Sequence, residues 1–434
     1  MLITRRRLTL AGGWSALAAS SGLRAAPEPT VLRFAWWGGA GRHAATLKAV
    51  AAFERHHPGV KVKCEYMGFS GYLERLTTQI AGRSEPDVMQ INWAWLAMFS
   101  KRGNGFTDLS EHRSLLSLDQ FSAGDLATGM VAGKLNAMPV SYTARVLLWN
   151  QAAFARAGLA LPDSWESLFA AGPVFKRALG DAAYPLDGEL YDMILLAQAY
   201  VHQKYGTPFI DPNEPRVAMS ADAAREWVEV YRRLVDSHVA TPLPLRASLG
   251  GADKPTEQQQ DWVQGRWAGN YTWDSAIMLR QATLDAQQKL AIGAFPTLPN
   301  ARNSGMFGRP SLMLAIGRNS RKPELAASLV GYLLADPEAA MLLGRTRGVP
   351  AAREPLRALM AGGALPALEM QAHQLIKTQR DAGRIDLPAP LFEHARVHKL
   401  MREIFETVAY NKTTPAAAAQ RLIVEGNALL RRIK

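Results

Sequence analysis

The sequence predicts an α/β fold built on a doubly wound, open sheet and large enough for more than one lobe. Three observations carry this reading. Strand and helix patterns alternate from residue 31 to residue 91 in the order β-α-β-α-β. The same logic returns in the second half of the chain. Finally, 434 residues that are 48% hydrophobic and 20% charged suffice for two or three ordinary domains or two interleaved lobes, each with a core to bury.

The elements follow in order, after a segment that does not belong to the fold. Residues 1–26, MLITRRRLTLAGGWSALAASSGLRAA, have a basic head (Arg5, Arg6, Arg7), a modest apolar stretch and a small-residue tail, the three-part form of an export signal. Adjacent arginines before a weakly apolar stretch resemble a twin-arginine signal, which also tolerates Arg24 near the expected cut. No cysteine lies near that cut, so a lipid anchor is not expected. Residues 1–26 hold four arginines and no acid, so the formal charge of +12 becomes +8, from 46 basic and 38 acidic residues. Such an excess suits anionic ligands or simple solubility. No Lys/Arg stripe with interleaved aromatics argues for nucleic acid. No apolar run reaches the roughly 20 residues that span a bilayer. Cys64 is the only cysteine, which excludes an internal disulfide and suggests a buried, apolar-like role.

Residues 31–37 form a strand ending in Trp36 and Trp37. Residues 43–57 form a helix with Leu47, Val50 and Phe53 inward, stopped by Pro58 and Gly59. VKVKCEYM alternates as a second strand, a helix follows from about Tyr72 to Ala81, and residues 87–91 form a short buried strand. That strand runs at once into Asn92, Trp93 and Trp95. Later, Ser164 caps a helix with Glu166 in its first turn. Leu325, Leu329, Tyr332 and Leu333 line one helix face, and Asp336 with Pro337 starts the next helix. The tail from about Phe392 to Lys434 reads as helical.

In open parallel sheets, ligands bind outside the carboxyl ends of the strands. Trp36, Trp37, Asn92, Trp93 and Trp95 would sit along that edge. Indole faces stack on the C–H faces of sugar rings, while Asn, Asp and Arg bond the hydroxyl rim. For each indole singly, filling the core remains the other reading.

Four stretches resemble a known family. They are AGKLNAMPVSYTARVLLWNQAAFARAGLALPDSWESLF (132–169), WVQGRWAGNYTWDS (262–275), IGAFPTLP (292–299) with SLMLAIGRNSRKPELAASLVGYLLADPEAA (311–340), and RGVPAARE (347–354). Together they resemble the extracellular solute-binding proteins of sugar ABC importers, the group that includes maltose-binding protein. The resemblance implies two α/β lobes with a ligand cleft and a hinge between them. Mapped here, residues 30–139 plus 312–360 would form the first lobe and residues 144–308 plus 361–434 the second. Hinges would lie near residues 139–143 and 309–313. Hinge closure would present a carbohydrate to a membrane ABC permease. The resemblance further implies a periplasmic, monomeric protein without cofactor or metal. Its site residues would be Trp36, Trp37 and Gly38 after the first strand, and Asn92, Trp93 and Trp95 after the third. Ser141 and Tyr142 would lie in the crossover, Trp273 and Asp274 at an aromatic platform, and Arg347 beside Gly348, with Tyr72 nearby. The departure from the pattern is arginine: Arg145, Arg302, Arg309 and Arg345 fall near expected cleft or hinge segments. They admit two readings. Arginine forks match the carboxylates of an acidic sugar such as a uronate-containing oligosaccharide, or these arginines pair with acids at the surface.

Rival chemistries have weaker signals. Gly39, Gly41 and Ala44 fit the glycine-rich dinucleotide pattern between a strand and a helix, with Glu65 about 20 residues on. They suggest an NAD(P)-dependent periplasmic oxidoreductase as the alternative, against which stands the bulk of Trp36 and Trp37. Asp187, Glu189 and Asp192 are candidates for a hydrolytic carboxylate pair, for sugar hydroxyls or for a helix cap. His394 and His398 lack the His-Glu-x-x-His spacing of a zinc site and read as a solvated helix face. No Gly-x-Ser-x-Gly elbow or Gly-Lys-Ser/Thr loop is present. The sequence carries no positive sign of catalysis.

Overall fold

The computed structural model describes residues 28–251 and 254–433. The export-like segment 1–26 lies outside the described residues. Among the described residues nine strands run β1 (Thr30–Trp37), β2 (Val60–Met67), β3 (Val88–Ile91), β4 (Met130–Val131), β5 (Lys134–Leu135), β6 (Met138–Asn150), β7 (Gly269–Trp273), β8 (Leu290–Ile292) and β9 (Gly308–Ile316). The main sheet has the order β2-β1-β3-β9-β6, with β7 and β8 flanking the far end of β6.

The parallel expectation holds for the first three strands only. β2 and β3 both run parallel to β1. β9, by contrast, returns antiparallel from the other lobe and inserts between β3 and β6. β6 is the bridge between the lobes. Its first half, Met138 to Ala144, pairs with β9, and its second half, Arg145 to Asn150, pairs with β7 and β8. At about 3.3 Å per residue its 13 residues span roughly 40 Å. Register shifts on either side of Ser141 interrupt its pairing with β9.

Each lobe has its own apolar interior. On one face of the first lobe's sheet, Leu32, Phe34 and Trp36 pack with Val50, Phe53, Leu314 and Leu329. On the other, Ala35 and Trp37 pack with Tyr72, Met89, Ile91 and Trp95. Successive residues of a strand point to opposite faces, so the adjacent indoles of β1 part company. The second lobe's core gathers Trp149, Phe175, Leu196, Trp227 and Tyr271 with Phe405 and Leu422 of the tail helices.

Local signals produced local structure. Ser164 accepts from Ser167 N in a capping box, and Asp336 accepts from Glu338 N at 2.7 Å with Pro337 at the first helical position. The inward face of helix Ala40–His56 is corrected. Thr46, Ala49, Val50 and Phe53 are buried at i, i+3, i+4 and i+7, whereas Leu47, about 100° round the helix, is exposed. The tail consists of two helices, Ala395–Ala409 and Pro415–Ile433, with a turn between them. Helix Ala367–Asp381 lays Ala372 and Ile376 into the second lobe's core.

Candidate functional site

A cleft of about 760 Å³ opens where β6 and β9 cross between the lobes. Its floor is Ser141, Tyr142 and Thr143 of β6 with Arg309 and Ser311 of β9. On the first lobe's side stand Trp37, Arg42 and the loop 345–349; on the second lobe's side stand Trp273, Asp274, Met278 and Glu369.

Arg347 is the best-enclosed cation in the cleft. It donates from Nε to Gln90 Oε1 and from Nη1 to Thr46 Oγ1, both at 2.9 Å, while its Nη2 has no partner. Gln90, the residue beneath it, is itself fixed by donating to the Trp37 carbonyl at 3.1 Å. Ser141 Oγ donates to the Arg347 carbonyl at 2.6 Å. That approach needs Gly348, whose φ is 91° and where a Cβ would meet Ser141 Oγ at 2.9 Å. Arg42 lies beside Arg347, donating to the carbonyls of Thr346 (2.9 Å) and Trp37 (3.1 Å). Among the described residues no carboxylate pairs with either arginine. Burial, then the charge of Arg42, pushes the Arg347 guanidinium down to about 9, and burial lowers Arg42 as well.

The opposite wall is acidic and aromatic. Trp273 ends β7 half-buried, with Arg145 at 5.1 Å and Arg309 at 5.0 Å from its ring centre. Asp274 accepts from the Thr143 hydroxyl and from Ser275 N. Burial, with a contribution from the Glu369 charge, pushes its carboxyl up to about 6. Arg309 pairs with Glu393 at 3.1 Å, and Arg345 with Glu369 at 2.5 Å.

The cleft brings together Trp37, Ser141, Tyr142, Trp273, Asp274, Arg309, Arg345 and Arg347. Six other expected residues do not line it. Trp36 is fully buried on the other face of β1, donating to His43 Nδ1 at 3.1 Å. Trp93 and Trp95 are buried in the cluster beneath Trp37, with the Trp95 ring 5.2 Å from it. Tyr72 is buried there too, donating to the Gln90 carbonyl at 3.0 Å. Asn92 closes a turn by accepting from Ala94 N. Gly38 acts by its smallness, since a Cβ there would lie 2.6 Å from Arg42 Cδ. Arg145 is buried in an ion pair with Asp192, and Arg302 is exposed outside the cleft.

Sequence reasoning missed Arg42, Thr143, Ser311 and Glu369. Arg42 had a signal, because it sits within the glycine-rich stretch read as a rival nucleotide loop. That stretch leads into helix Ala40–His56 and aims Arg42 at the cleft. The rival carboxylates have structural partners. Asp187 is fully buried against Arg246 (2.9 Å) and the Thr256 hydroxyl, and Glu189 caps helix Leu190–Tyr205. The histidine reading is corrected. His394 caps helix Ala395–Ala409, while His398 is half-buried, its Nε2 2.9 Å from the Tyr191 hydroxyl. Among the described residues no three His, Cys, Asp or Glu side chains gather in a metal-binding group.

Residues 39–340 match the profile of the bacterial extracellular solute-binding proteins. Among solved structures, a periplasmic oligogalacturonide-binding protein from Yersinia enterocolitica is 38% identical, with a TM-score of 0.84 over 93% of this chain and 99% of that one. The same protein in complex with saturated digalacturonic acid is 37% identical over the same shares, with a TM-score of 0.78. A de novo designed cysteine esterase is 36% identical, with a TM-score of 0.89 over 94% of this chain and 100% of that one. A binding protein of Brucella abortus is 26% identical over 198 residues; the match spans 44% of this chain and 46% of that protein. The oxidoreductase reading has no support in these matches.

Proposed function

This chain belongs to the bacterial extracellular solute-binding proteins, and on that premise we propose that it is a periplasmic receptor for an acidic oligosaccharide, serving an ABC-type importer. The observation that carries the acidic ligand is the pair Arg42 and Arg347. Two guanidiniums share one cleft wall with no carboxylate, and one of them has an unused Nη2. A buried, unpaired cation is costly unless an anion joins it. The planar fork suits a uronate carboxylate, and Trp273 offers a face for the sugar ring. The likeness to a protein crystallised with digalacturonic acid supports the same class.

The ligand would be gripped between the lobes as they turn about β6 near residues 139–143 and β9 near residues 309–313. The gripped form would be the one presented to the membrane permease. Export by a twin-arginine route without a lipid anchor, and a monomeric state, complete the proposal. No turnover is part of it. The esterase likeness does not alter this, because burial pushes the Cys64 thiol up to about 11, away from the thiolate a nucleophile needs.

Calorimetry with digalacturonate and with a neutral disaccharide, over a salt series, tests the reading. The acidic sugar should bind, and more weakly as salt rises. A preference for the neutral sugar overturns the acidic ligand.

A further inference from the structure

The four arginines that line the cleft are not equivalent. Arg42 and Arg347 have no carboxylate, whereas Arg309 and Arg345 already hold Glu393 and Glu369. The Arg345–Glu369 pair is distinctive because both partners line the cleft and come from different lobes. Arg345 follows helix Pro337–Leu343, whose Leu342 and Leu343 pack on the first lobe's core. Glu369 starts helix Ala367–Asp381, seated in the second lobe's core by Ala372 and Ile376. The pair therefore spans the cleft at 2.5 Å, with Arg345 39% exposed and within reach of solvent. On the same wall as Glu369 lies Asp274, whose carboxyl feels its charge.

We propose that Glu369 acts as a built-in stand-in for a ligand carboxylate: it holds Arg345 until an acidic sugar takes that arginine from it. Glu369 thereby limits both the affinity and the charge selectivity of the cleft. This rests on the acidic-ligand reading above. The physics is competition. Glu369 holds Arg345 through Nη1, and a second carboxylate drawn to the same guanidinium meets Glu369 as a like charge. A ligand carboxylate therefore competes with Glu369 for a partly exposed ion pair. The displaced Glu369 then stays near the ligand as a like charge. A bystander ion pair would have neither effect.

Titration of the full mature protein with digalacturonate decides the matter. Glu369→Gln should tighten binding about three- to tenfold, the scale of one exposed ion pair plus relief of a like charge. Glu369→Ala, which leaves no group to engage Arg345, should do the same. A neutral disaccharide should not gain. In an Arg345→Gln background the gain from Glu369→Gln should shrink to within about twofold, because only relief of the like charge is left. If the wild type binds digalacturonate and both Glu369 variants leave its affinity unchanged, the stand-in role is overturned while the acidic-ligand reading survives. An equal gain with and without Arg345 also overturns competition, leaving simple repulsion. If the wild type ignores digalacturonate and takes a neutral sugar, both proposals fall. A crystal structure of the complex gives an independent readout, in which Arg345 should contact the sugar carboxylate and no longer Glu369.

Discussion

Replacing Arg347 by glutamine should separate stability from function. Arg347 is 9% exposed, beside Arg42, with two neutral acceptors and an unused Nη2. Burial, then the charge of Arg42, depresses its guanidinium to about 9, a cost of charge burial held against the protein without ligand. Glutamine keeps an amide that can reach Gln90 or Thr46, removes the charge and gives back part of that cost as lost packing. A net gain of about 1–3 kcal/mol should remain, which for lobes of this size raises the melting temperature by several degrees. Binding should move the other way. A desolvated charge pair with a uronate carboxylate contributes about 2–5 kcal/mol, so affinity for digalacturonate should fall by roughly 30-fold to several thousand-fold. Affinity for a neutral sugar should change by less than about threefold. Thermal melts without ligand and calorimetry with both sugars measure the two sides. A variant that melts below the wild type and still binds digalacturonate within about threefold would refute the reasoning, since Arg347 would then be a structural strut.

Trp273→Ala should leave the fold intact, because the ring is half-buried, and weaken sugar binding by about two- to twelvefold, the 0.5–1.5 kcal/mol of a stacking contact; unchanged affinity removes Trp273 from the site. Asp274, raised to about 6, should make acidic-sugar binding pH-dependent. Its ionised form repels the ligand, so affinity should rise about three- to tenfold as pH falls from 7.5 to 5.5, with proton uptake on binding. Asp274→Asn should flatten that slope, and a neutral sugar should not show it. Cys64, raised to about 11, should react with a thiol reagent at pH 8 about a hundredfold more slowly than a free thiol. Fast labelling would mean the sulfur is not enclosed as described.

Much of the fold was legible because its signals are local. A capping serine, an aspartate before proline and an alternating strand act within four residues, and each lies where its pattern predicts. What failed was what needs three dimensions. Trp36 and Trp37 look alike in one dimension, yet the strand's pleat sends one into the core and the other to the cleft. Leu47 fits an apolar spacing but falls one helical step off the buried stripe. The direction of β9 is not written in its residues, since a run of buried apolar side chains suits either sense of pairing. Arg42 was visible as part of a motif, but its place opposite Trp273 depends on the meeting of two lobes. Glu369 looks like any acidic residue in a helix's first turn until Arg345, 24 positions earlier, is brought against it.

The position of β9 has a consequence for how the protein comes into being. Its partner across the ladder, β3, was made more than two hundred residues earlier, with Val88 facing Ile316. Until the ribosome has passed residue 316, β3 and β6 each carry a bare edge open to wrong pairing. The amino-terminal half therefore cannot mature first and wait. It must hold its edges apart while nearly all of the other half is synthesised, a long-range topology that favours slow maturation and dependence on a holding chaperone before the chain is complete.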